Sequence, residues 1–371
     1  MSNITEAGLA TGYARAASRQ PALVTGTDLL VIGAFVLVVL TMPWWLVLIA
    51  GYEALATKIV IWAIFALGFD ILLGFTGYLS FGHAAFFGSA AYITGLSLKH
   101  LTSDIVPAMA ISFAGLFVIA LVIGVLTLRR SGIYFSILTL AFAEMAHALI
   151  LSSTLQAWTG GDNGLTGLPT PTLLGSPMRG LTVFYFASAF LVAGFIAALV
   201  IRRSPFGLML RAIKENPMRL EYTGVNVFAY KMSAFVISAM YAGIAGSLTV
   251  IYEPYVATEY IYWSTSGEVV IMSVIGGVGT LIGPILGAGF MLYFENVIQG
   301  FIGEQWKLVL GLIFVFMVIF LPGGFVDLAR QIWRSLGHRI RARRYNVPDM
   351  APEADEDRLR RRLDREEAEA R

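Results

Sequence analysis

Ionisable and hydroxyl side chains stand within apolar runs of this sequence, where a charged group needs a partner or a function. The run 132–151 carries four of them: Ser136, Thr139, Glu144 and His147. At about 100° per residue these side chains fall within an arc of about 140°, so they form one polar stripe on one face of a helix. Such a stripe either makes a structural hydrogen-bond seam with a neighbouring helix or lines a path for a polar solute. The sequence alone leaves both interpretations open.

Candidate path residues follow from the cost of placing polar groups in a bilayer. A charged side chain at the bilayer centre costs about 2.5–3.5 kcal/mol on insertion scales, so each one marks a candidate functional position. Helix-breaking glycines are added because backbone exposed at membrane depth needs a cover of protein or a water cavity. The candidates for a translocation path are Asp70, Thr76, His83, Ser136, Thr139, Glu144, His147, Glu268, Gly276 and Gly277. Intramembrane charges would also serve an ion-coupled secondary transporter of a small polar solute, which is kept as the alternative function.

Metal, disulfide and nucleotide chemistry are not indicated. The chain contains no cysteine, which excludes disulfides and thiolate metal sites. His83 has no second histidine or acidic residue at metal-ligand spacing, so we predict a packed, hydrogen-bonded histidine. The run GGVGTLIG at 276–283 lacks the Gly-Lys-Ser/Thr ending and the preceding strand of a phosphate loop. We therefore expect no cofactor, no metal and no catalytic site in this chain.

The composition places these residues in a membrane protein. Of 371 residues, 57% are hydrophobic and only 13% are charged, whereas a soluble globular protein carries about 25% charged residues. Half that share, together with long apolar runs, is typical of a chain that spans the bilayer. The first 28 residues are polar and rich in small residues, so no cleavable signal peptide is evident and the first apolar run is expected to stay as an anchor.

The apolar runs predict an all-α polytopic membrane protein with about ten transmembrane helices, within a range of eight to eleven. A spanning helix needs about 20 mostly apolar residues, fewer where protein shelters it. The segments are Leu29–Thr41, Thr57–Gly74, Tyr78–Leu98, Val106–Leu128, Gly132–Leu151, Leu181–Ile201, Met232–Ile251, Glu268–Val278, Leu281–Ile298 and Trp306–Leu321. The first and eighth are short for a full crossing, and Pro43 is expected to bend the chain after the first.

The orientation is predicted from the placement of Lys and Arg, which concentrate on cytoplasmic loops. With ten spans, both termini fall inside, and so does every dense basic cluster, whereas Lys58, Lys99, Arg179 and Lys307 fall outside as isolated charges. The chain then divides into a cytoplasmic segment 1–28, a transmembrane domain 29–325 and a charged cytoplasmic tail 326–371. Within the transmembrane domain, the loop 152–180 is expected in the periplasm as an ordered, non-helical cap, and the loop 202–230 in the cytoplasm.

The cytoplasmic loop contains two helix-start signals. Ser204 and Asn216 are good N-cap residues, and each precedes a proline, which favours the first helical position. Gly224 can supply the left-handed residue that ends a helix. The first helix places apolar residues at i, i+3, i+4 and i+7, namely Phe206, Met209, Leu210 and Ile213. The second, Pro217–Thr223, has about two turns and cannot persist alone in water. The pair is either an amphipathic surface element on lipid headgroups or a knob that docks into a cytoplasmic partner.

Four stretches together resemble one family. The stretch SPFGLMLRAIKENPMRLEYTGVNVFAYKMSAFVISA at 204–239 is similar to the cytoplasmic loop of the permease subunits of branched-chain amino acid ABC transporters, in the LivM-type group. The other three are ALGFDILLGFTGYLSFGHAAFFGSAAY, GIYFSILTLAFAEMAHALI with TGGDNGLTGLP, and SGEVVIMSVIGGVGTLIGPILGA. They occur in the family's order from Ala66 to beyond Ala288, so the resemblance covers most of the chain and is highly specific.

The resemblance implies that the cytoplasmic loop couples the spans to an ATP-binding subunit. The residues expected at this coupling site are Arg211, Lys214, Glu215, Asn216, Pro217, Met218 and Gly224. Two departures stand out. The general permease pattern is Glu-Ala-Ala, three residues, then Gly, and here Met218, Arg219 and Leu220 occupy the first places, so only the glycine is retained. Asp70 stands where the family usually carries Asn.

The resemblance also implies a function and its partners. It describes the permease of an importer that moves branched-chain or related hydrophobic amino acids across the bacterial inner membrane, driven by ATP hydrolysis in partner subunits. The implied partners are a second homologous permease, two ATP-binding subunits, a periplasmic substrate-binding protein and the lipid bilayer, with no nucleic acid. Asp162, Glu253 and Glu259 lie in the outer loops and are expected on the rim where the binding protein docks. The same subunit type also serves other amino acids, amides and urea, so the substrate stays open.

Overall fold

A computed structural model describes residues 26–48, 51–321 and 323–332. Most of the predicted cytoplasmic segment 1–28 and of the charged tail 326–371 therefore lies outside the described residues. The chain divides into a large unit that extends to Val326 and a C-terminal unit from Asp327. Of the second unit, residues 327–332 are described and are helical.

Thirteen α-helices and one small hairpin are described in the large unit. The helices before the first long loop are α1 (Gly26–Leu48), α2 (Glu53–Thr76), α3 (His83–His100), α4 (Ile105–Thr127) and α5 (Ile133–Leu151). The loop carries α6 (Gln156–Thr159) and the hairpin β1 (Thr172–Leu173) and β2 (Ser176–Pro177). The remaining helices are α7 (Leu181–Arg203), α8 (Pro205–Glu215), α9 (Pro217–Tyr222), α10 (Val227–Tyr252), α11 (Trp263–Gly276), α12 (Ile282–Ile302) and α13 (Trp306–Phe320).

The protein is an all-α, multi-pass membrane protein, but the number of ten spans is not confirmed. Each of the ten expected segments falls on a helix. Within the described residues, seven helices are long and apolar enough to cross a membrane, namely α1 from Leu29, α2, α4, α5, α7, α10 and α12. An eighth is added if α13 is counted with the helical residues that follow it. The two segments that fall short are α3, which carries polar residues on a buried helix, and α11, which has 14 residues.

The first helix differs from the prediction. Instead of ending near Thr41, α1 continues through Pro43 to Leu48. A proline inside a helix removes one backbone hydrogen bond, which usually ends or kinks the helix. Pro43 leaves the Val39 carbonyl without its helical donor. In the neighbouring turns, Thr41 Oγ1 donates to the Leu37 carbonyl at 2.7 Å and Trp45 Nε1 donates to the Val38 carbonyl at 3.4 Å. The predicted segment Leu29–Thr41 is therefore shorter than the helix that contains it.

The interior of the bundle is formed by α2 and α10. The most apolar 18 residues of α2 are 94% buried and those of α10 are 78% buried, against 22% for α5 and for α12. A helix that is apolar all round belongs in such a centre. Close approach depends on small residues. A Cβ at Gly68 would lie 2.1 Å from Tyr241 Cβ, and one at Gly246 would lie 2.0 Å from the Phe87 carbonyl oxygen.

The loop 152–180 is ordered, but the prediction that it is non-helical was wrong, because it includes the short helix α6. It is joined to the bundle by backbone hydrogen bonds. Leu165 and Val256 exchange both of their N–H···O bonds at 3.0 Å, and Thr172 N–H donates to the Ser103 carbonyl at 2.9 Å. The cap therefore holds the ends of α4 and α10 on one side of the bundle, opposite the end that carries α8 and α9.

Candidate functional site

Asp70 lies at the break between α11 and α12. Asp70 belongs to α2, and its side chain is fully buried. Its Oδ1 accepts the N–H of Gly279 at 2.6 Å, and its Oδ2 accepts the N–H of Leu281 at 3.2 Å. Buried carboxylates require such bonds, and those from N–H groups to an ionised acceptor are among the stronger ones. Since α12 begins one residue later, the carboxylate also faces the positive end of a 21-residue helix. Asp70 therefore fixes the backbone of the break.

The break itself is built on glycine. As the glycine-rich sequence predicted, α11 ends at Gly276, and Gly277 has a φ of 115°. A Cβ at Gly276 would lie 1.8 Å from the Gly283 carbonyl oxygen, and a Cβ at Gly287 would lie 1.8 Å from the Met272 carbonyl oxygen. Backbones this close leave no room for any side chain. Gly283 and Gly287, which have the GxxxG spacing, thus allow α12 to pack closely against α11.

The two helices predicted for the loop 202–230 are confirmed. Ser204 Oγ accepts the N–H of Gly207 at 3.2 Å at the start of α8, and Asn216 Oδ1 accepts the N–H of Arg219 at 3.1 Å at the start of α9. A proline occupies the first position of each helix. Gly224 follows α9 with a φ of 81°, the left-handed conformation that favours glycine. Local capping chemistry was therefore enough to define this pair.

The apolar face of α8 packs against the chain's own bundle. Leu210 and Ile213 are buried, and the Phe206 ring stacks on the ring of Tyr230 with centroids 5.6 Å apart. The polar side chains also bind nearby backbone. Arg211 donates to the carbonyls of Arg202 and Gly207. A face already covered by protein is not available to lipid headgroups, which argues against the surface-helix interpretation for α8.

The short helix α9 is exposed. As the structure describes it, no residue of α9 is buried, and the side chains of Met218 and Tyr222 are 61% and 85% exposed. Gly224 is also exposed, and an added Cβ would meet no described atom within 4 Å. Glu215, the last residue of α8, is exposed as well. Of the expected coupling residues, Arg211 and Lys214 thus bind the bundle, while Met218 and Gly224 project from it.

Lys214 joins α8 to the end of α2. Its ammonium donates to the carbonyl oxygen of Gly74 at 3.0 Å. The aliphatic stem passes Gly77, where an added Cβ would lie 3.2 Å from Lys214 Cγ. Thr76, in the same turn, is buried and donates its hydroxyl to the Leu72 carbonyl at 2.6 Å. Three of the predicted polar residues, Asp70, Thr76 and Lys214, therefore meet at one end of α2.

In α5, the first two residues of the polar stripe, Ser136 and Thr139, form a hydrogen-bond seam. Ser136 Oγ donates to the Leu79 carbonyl at 2.6 Å, and Thr139 Oγ1 accepts the N–H of Phe81 at 3.2 Å. Both bonds hold the segment that leads into α3. The last two residues of the stripe, Glu144 and His147, have different surroundings. The ring of His147 lies against Tyr262, with centroids 4.9 Å apart, and Glu144 is half-buried with one carboxylate oxygen that has no hydrogen-bond partner among the described residues.

His83 is a packed and hydrogen-bonded residue, as predicted. Its Nε2 lies 2.7 Å from Ser238 Oγ, which in turn donates to the Gly68 carbonyl at 2.6 Å. Because the serine has one hydroxyl hydrogen, Nε2 must carry the imidazole proton. Nδ1 then lacks a hydrogen-bond partner in the described part of the chain, and three phenylalanine rings pack edge-on around the imidazole. The residue joins α3, α10 and α2 in the interior.

At the opposite end of the bundle, Glu268 lines a cavity of about 780 Å³. Lys58, Glu295 and Lys307 line it too, and Lys58 Nζ lies 3.6 Å from Glu295 Oε1. Sequence reasoning missed these three as members of a site. The available signal was that Lys58 and Glu295 are charged residues inside apolar runs, but nothing in the sequence pairs two residues so far apart.

The three predicted docking residues lie on the same end. Glu253 and Glu259 line the cavity mouth, and Asp162 is exposed on the turn 161–163, which packs near residues 258–261. The hydroxyl of Tyr260 donates to the Glu253 carboxylate. Burial, together with the Glu253 carboxylate, raises the pKa of Tyr260, so the phenol stays protonated and can hold this bond at neutral pH.

Comparison with known proteins identifies the family. The family model described as the permease component of branched-chain amino acid transport systems matches residues 51–321. The high-affinity branched-chain amino acid transport system permease protein LivM of Escherichia coli K12 is 29% identical over 320 residues, which cover 79% of this chain and 74% of that protein. No solved structure gives a significant match.

More distant relatives are named for the transport of other substrates. The autoinducer 2 import system permease protein LsrC of Klebsiella pneumoniae is 27% identical and is aligned over 64% of each chain. The guanosine ABC transporter permease protein NupQ of Bacillus subtilis is 27% identical over 86 residues, or 23% of this chain and 26% of that protein. The family match extends over most of the described bundle, from the start of α2 to the end of α13. The chain therefore belongs to the family of permease components of branched-chain amino acid ABC transport systems.

Proposed function

We propose that this chain is one permease subunit of an ATP-driven importer of branched-chain or related hydrophobic amino acids in a bacterial inner membrane. The family membership and the identity to LivM over most of both chains support this proposal. In it, the chain works beside a second related permease, two ATP-binding subunits and a periplasmic binding protein. The chain itself binds no nucleotide, and ATP hydrolysis takes place in the partner subunits.

The single observation that carries the proposal is the contrast between α8 and α9. α8 is fixed on the bundle by Leu210 and Ile213, whereas α9 presents the apolar side chains of Met218 and Tyr222 to solvent. Exposed apolar residues next to a rigid support favour docking into a partner. In the proposed assembly, α9 sits in a cleft of an ATP-binding subunit, and α8 passes its rigid-body motion to the spans.

The substrate path is proposed to lie between this chain and the second permease. Three candidate path residues already make hydrogen bonds within the chain, so they are proposed to support the walls of the path. They are Ser136, Thr139 and His83. Glu144 and His147 lie on α5, which is poorly covered by the described chain and available to a neighbour. Their half-buried side chains would face the solute there.

The outer end is proposed to receive the binding protein. Asp162, Glu253 and Glu259 provide exposed or half-buried carboxylates around one cavity mouth. Charges on such a rim steer association and fix orientation more than they add affinity. This assignment requires α9 to be cytoplasmic. Single cysteines at Tyr222 and Asp162 in this cysteine-free chain would report it, and labelling of position 222 from outside intact cells would overturn it.

One observation favours the alternative of an ion-coupled transporter. The unpartnered carboxylate oxygen of Glu144 on a membrane helix could bind a proton or a cation during a transport cycle. The two proposals differ in their energy source, because a secondary transporter needs neither ATP nor a docking helix.

The deciding experiment uses the full complex in proteoliposomes, with this permease, its second permease, the ATP-binding subunits and the binding protein. Leucine uptake should require ATP at the cytoplasmic face and should persist when ionophores collapse ion gradients. Competition with other amino acids, amides, urea and guanosine would define the substrate. Uptake that follows an ion gradient without ATP would replace the proposal with its alternative.

A further inference from the structure

We propose that Lys214 and Asp70 form a mechanical link that carries the motion of α8 to the α11–α12 break. The link would act through one turn of α2, residues 70–74. Lys214 and Asp70 are positioning residues in this proposal, since neither needs to touch substrate or nucleotide. The inference rests on the proposed function, because it assumes that α8 and α9 receive the motion of an ATP-binding subunit.

The first contact of the link is between Lys214 and the end of α2. The last carbonyl groups of a helix have no partner within the helix and carry partial negative charge. Lys214 Nζ satisfies one of them at Gly74, at 3.0 Å. The lysine stem lies against Gly77, which adopts a φ of 76° and leaves room for it. A displacement of α8 should therefore push or pull on the last turn of α2.

The second contact joins that same turn to the break. Asp70 precedes Gly74 by one helical turn, so both residues face the same side of α2. A Cβ at Gly74 would lie 2.7 Å from Asp70 Oδ1 and 2.7 Å from Gly279 Cα. The carboxylate binds Gly279 and Leu281 directly. The backbone of the break is thus held to the turn of α2 that Lys214 holds from the other side.

A negative charge on Asp70 strengthens the second contact, because hydrogen bonds to an ionised acceptor are stronger than those to a neutral one. The positive charges of Lys214 and Arg202 both act on the Asp70 carboxylate. An asparagine at position 70 would keep the shape but lose the negative charge, and its single amide oxygen would replace two carboxylate oxygens as acceptors. We therefore expect the aspartate to bind the break more firmly than an amide would. Loss of either Lys214 or Asp70 should disconnect α8 from the break without removing a spanning helix.

Distance measurements on the full reconstituted complex test the link. The chain contains no cysteine, so spin labels can be placed freely. Pair one, Leu126→Cys with Leu208→Cys, reports α8, and pair two, Leu126→Cys with Val278→Cys, reports the break. These side chains are 51%, 60% and 37% exposed. In the unmodified background, both distances should change when ATP and vanadate trap the ATP-binding subunits.

The decisive variant is Lys214→Met, measured against Lys214→Arg and Lys231→Met. In Lys214→Met, pair one should still change while pair two stays at its resting distance, and substrate-stimulated ATP hydrolysis should fall by about fivefold or more relative to basal hydrolysis. Lys214→Arg can still donate to the Gly74 carbonyl and should restore both. Lys231→Met is the matched control, because its ammonium lies over the Tyr78 ring at 5.0 Å instead of on α2. Asp70→Asn provides a second variant should Lys214→Met fold poorly, and it should weaken the response of pair two.

The outcomes separate the link from the proposed function. If both pairs respond normally in Lys214→Met and Asp70→Asn, the link is wrong although the coupling role of α8 stands. If pair one does not respond even in the unmodified background, α8 does not receive the motion, and both the coupling assignment and the link fail. A loss of pair two alone, with rescue by arginine, would establish the link.

Discussion

At the end of the bundle that carries α8 and α9, charged side chains bind backbone groups. Asp70 accepts two N–H groups of the α11–α12 break, and Lys214 donates to the last turn of α2. At the other end, Lys58, Glu268 and other charged residues line an open cavity of about 780 Å³. The first arrangement leaves little freedom between elements, because each bond fixes a main-chain position. In the second arrangement, the charged side chains face the open cavity and are accessible to a bound solute or protein.

This difference matches two tasks of a transport subunit. An element that passes on a rigid-body motion must not yield, and close backbone packing at Gly276 and Gly287 supplies that stiffness. An element that meets a docking protein or a solute needs accessible charge instead. Variants at the two ends should therefore fail differently, with losses of folding or coupling at the first end and changes in association at the second.

The largest effect is expected at the glycine contact of α12. Gly287→Ala places a Cβ 1.8 Å from the Met272 carbonyl oxygen, a clash that no side-chain rotation relieves. The cost should be about 4 kcal/mol or more, at the severe end for a single substitution. Gly289→Ala is the matched control on the same helix, since its Cβ would meet Ile59 Cγ2 at an ordinary 3.7 Å. Melting temperature and monodisperse yield in detergent measure both. Equal stability of the two variants would contradict the close packing.

The next effect is expected from Asp70→Ala. Removing the carboxylate leaves the N–H groups of Gly279 and Leu281 without acceptors in a buried site, which costs about 1–3 kcal/mol for each group. Asp104→Ala is a suitable control, because that carboxylate accepts one N–H, from Leu174 at 2.9 Å, near the surface. The melting temperature of the Asp70 variant should fall clearly further than that of the control. A smaller fall would mean that water satisfies the break and that this end is less tightly held.

A smaller and more specific effect is expected on α9. Met218→Glu adds a charge to a side chain that is 61% exposed here, so the isolated chain should fold normally. If Met218 enters a dry cleft of an ATP-binding subunit, the unpaired charge should lower stimulated ATP hydrolysis about tenfold relative to basal hydrolysis. Met218→Leu keeps the apolar contact and should behave as the unmodified chain does. Unchanged stimulation in the glutamate variant would mean that α9 is not the docking element.

Gly224→Val tests whether the backbone shape directly after α9 is needed for coupling. An added side chain would meet open space among the described atoms, so any cost arises from the φ of 81°, which a β-branched residue resists. The coupling loss should be about fourfold, which corresponds to about 0.8 kcal/mol in free energy, and therefore smaller than the tenfold loss of Met218→Glu. Gly224→Asn, which tolerates the left-handed region, should retain most of the stimulation. Similar losses in both variants would point to contact rather than to backbone shape.

The features that the sequence predicted are those encoded within a few residues. Ser204 and Asn216 cap helices whose first N–H groups lie three residues away, so the signal and its partner are read together. The glycine-rich break was predicted for the same reason. The membrane class followed from composition, and each of the ten apolar segments proved to be helical.

The features that the sequence could not predict are contacts between distant residues. Asp70 and Gly279 are separated by 209 positions, and no local pattern pairs them. The same holds for Lys58 and Glu295. The number of spans was hard to predict for a related reason, because α3 is shielded by α4 and α10 and can therefore be too polar to face lipid. Likewise, α1 continues past Pro43 although a proline usually ends a helix.

The smallest effect is expected at the proposed docking rim. Neutralising Asp162, Glu253 and Glu259 together removes exposed or half-buried carboxylates, and such charges change association more than the assembled state. We expect the concentration of loaded binding protein that gives half-maximal stimulation to rise about threefold at low salt and to approach the unmodified value at about 1 M salt, where the screening length is about 3 Å. Glu53→Gln is the matched control, because that exposed carboxylate is at the same end of the bundle but lines a different pocket. Maximal stimulation should stay the same in both, since the link at the opposite end is intact. If the triple variant lowers the maximum instead of the apparent affinity, or if salt has no influence, these residues do not form the docking rim. The charges around this cavity would then serve the solute itself, and Glu268, which lines it, becomes the next residue to neutralise.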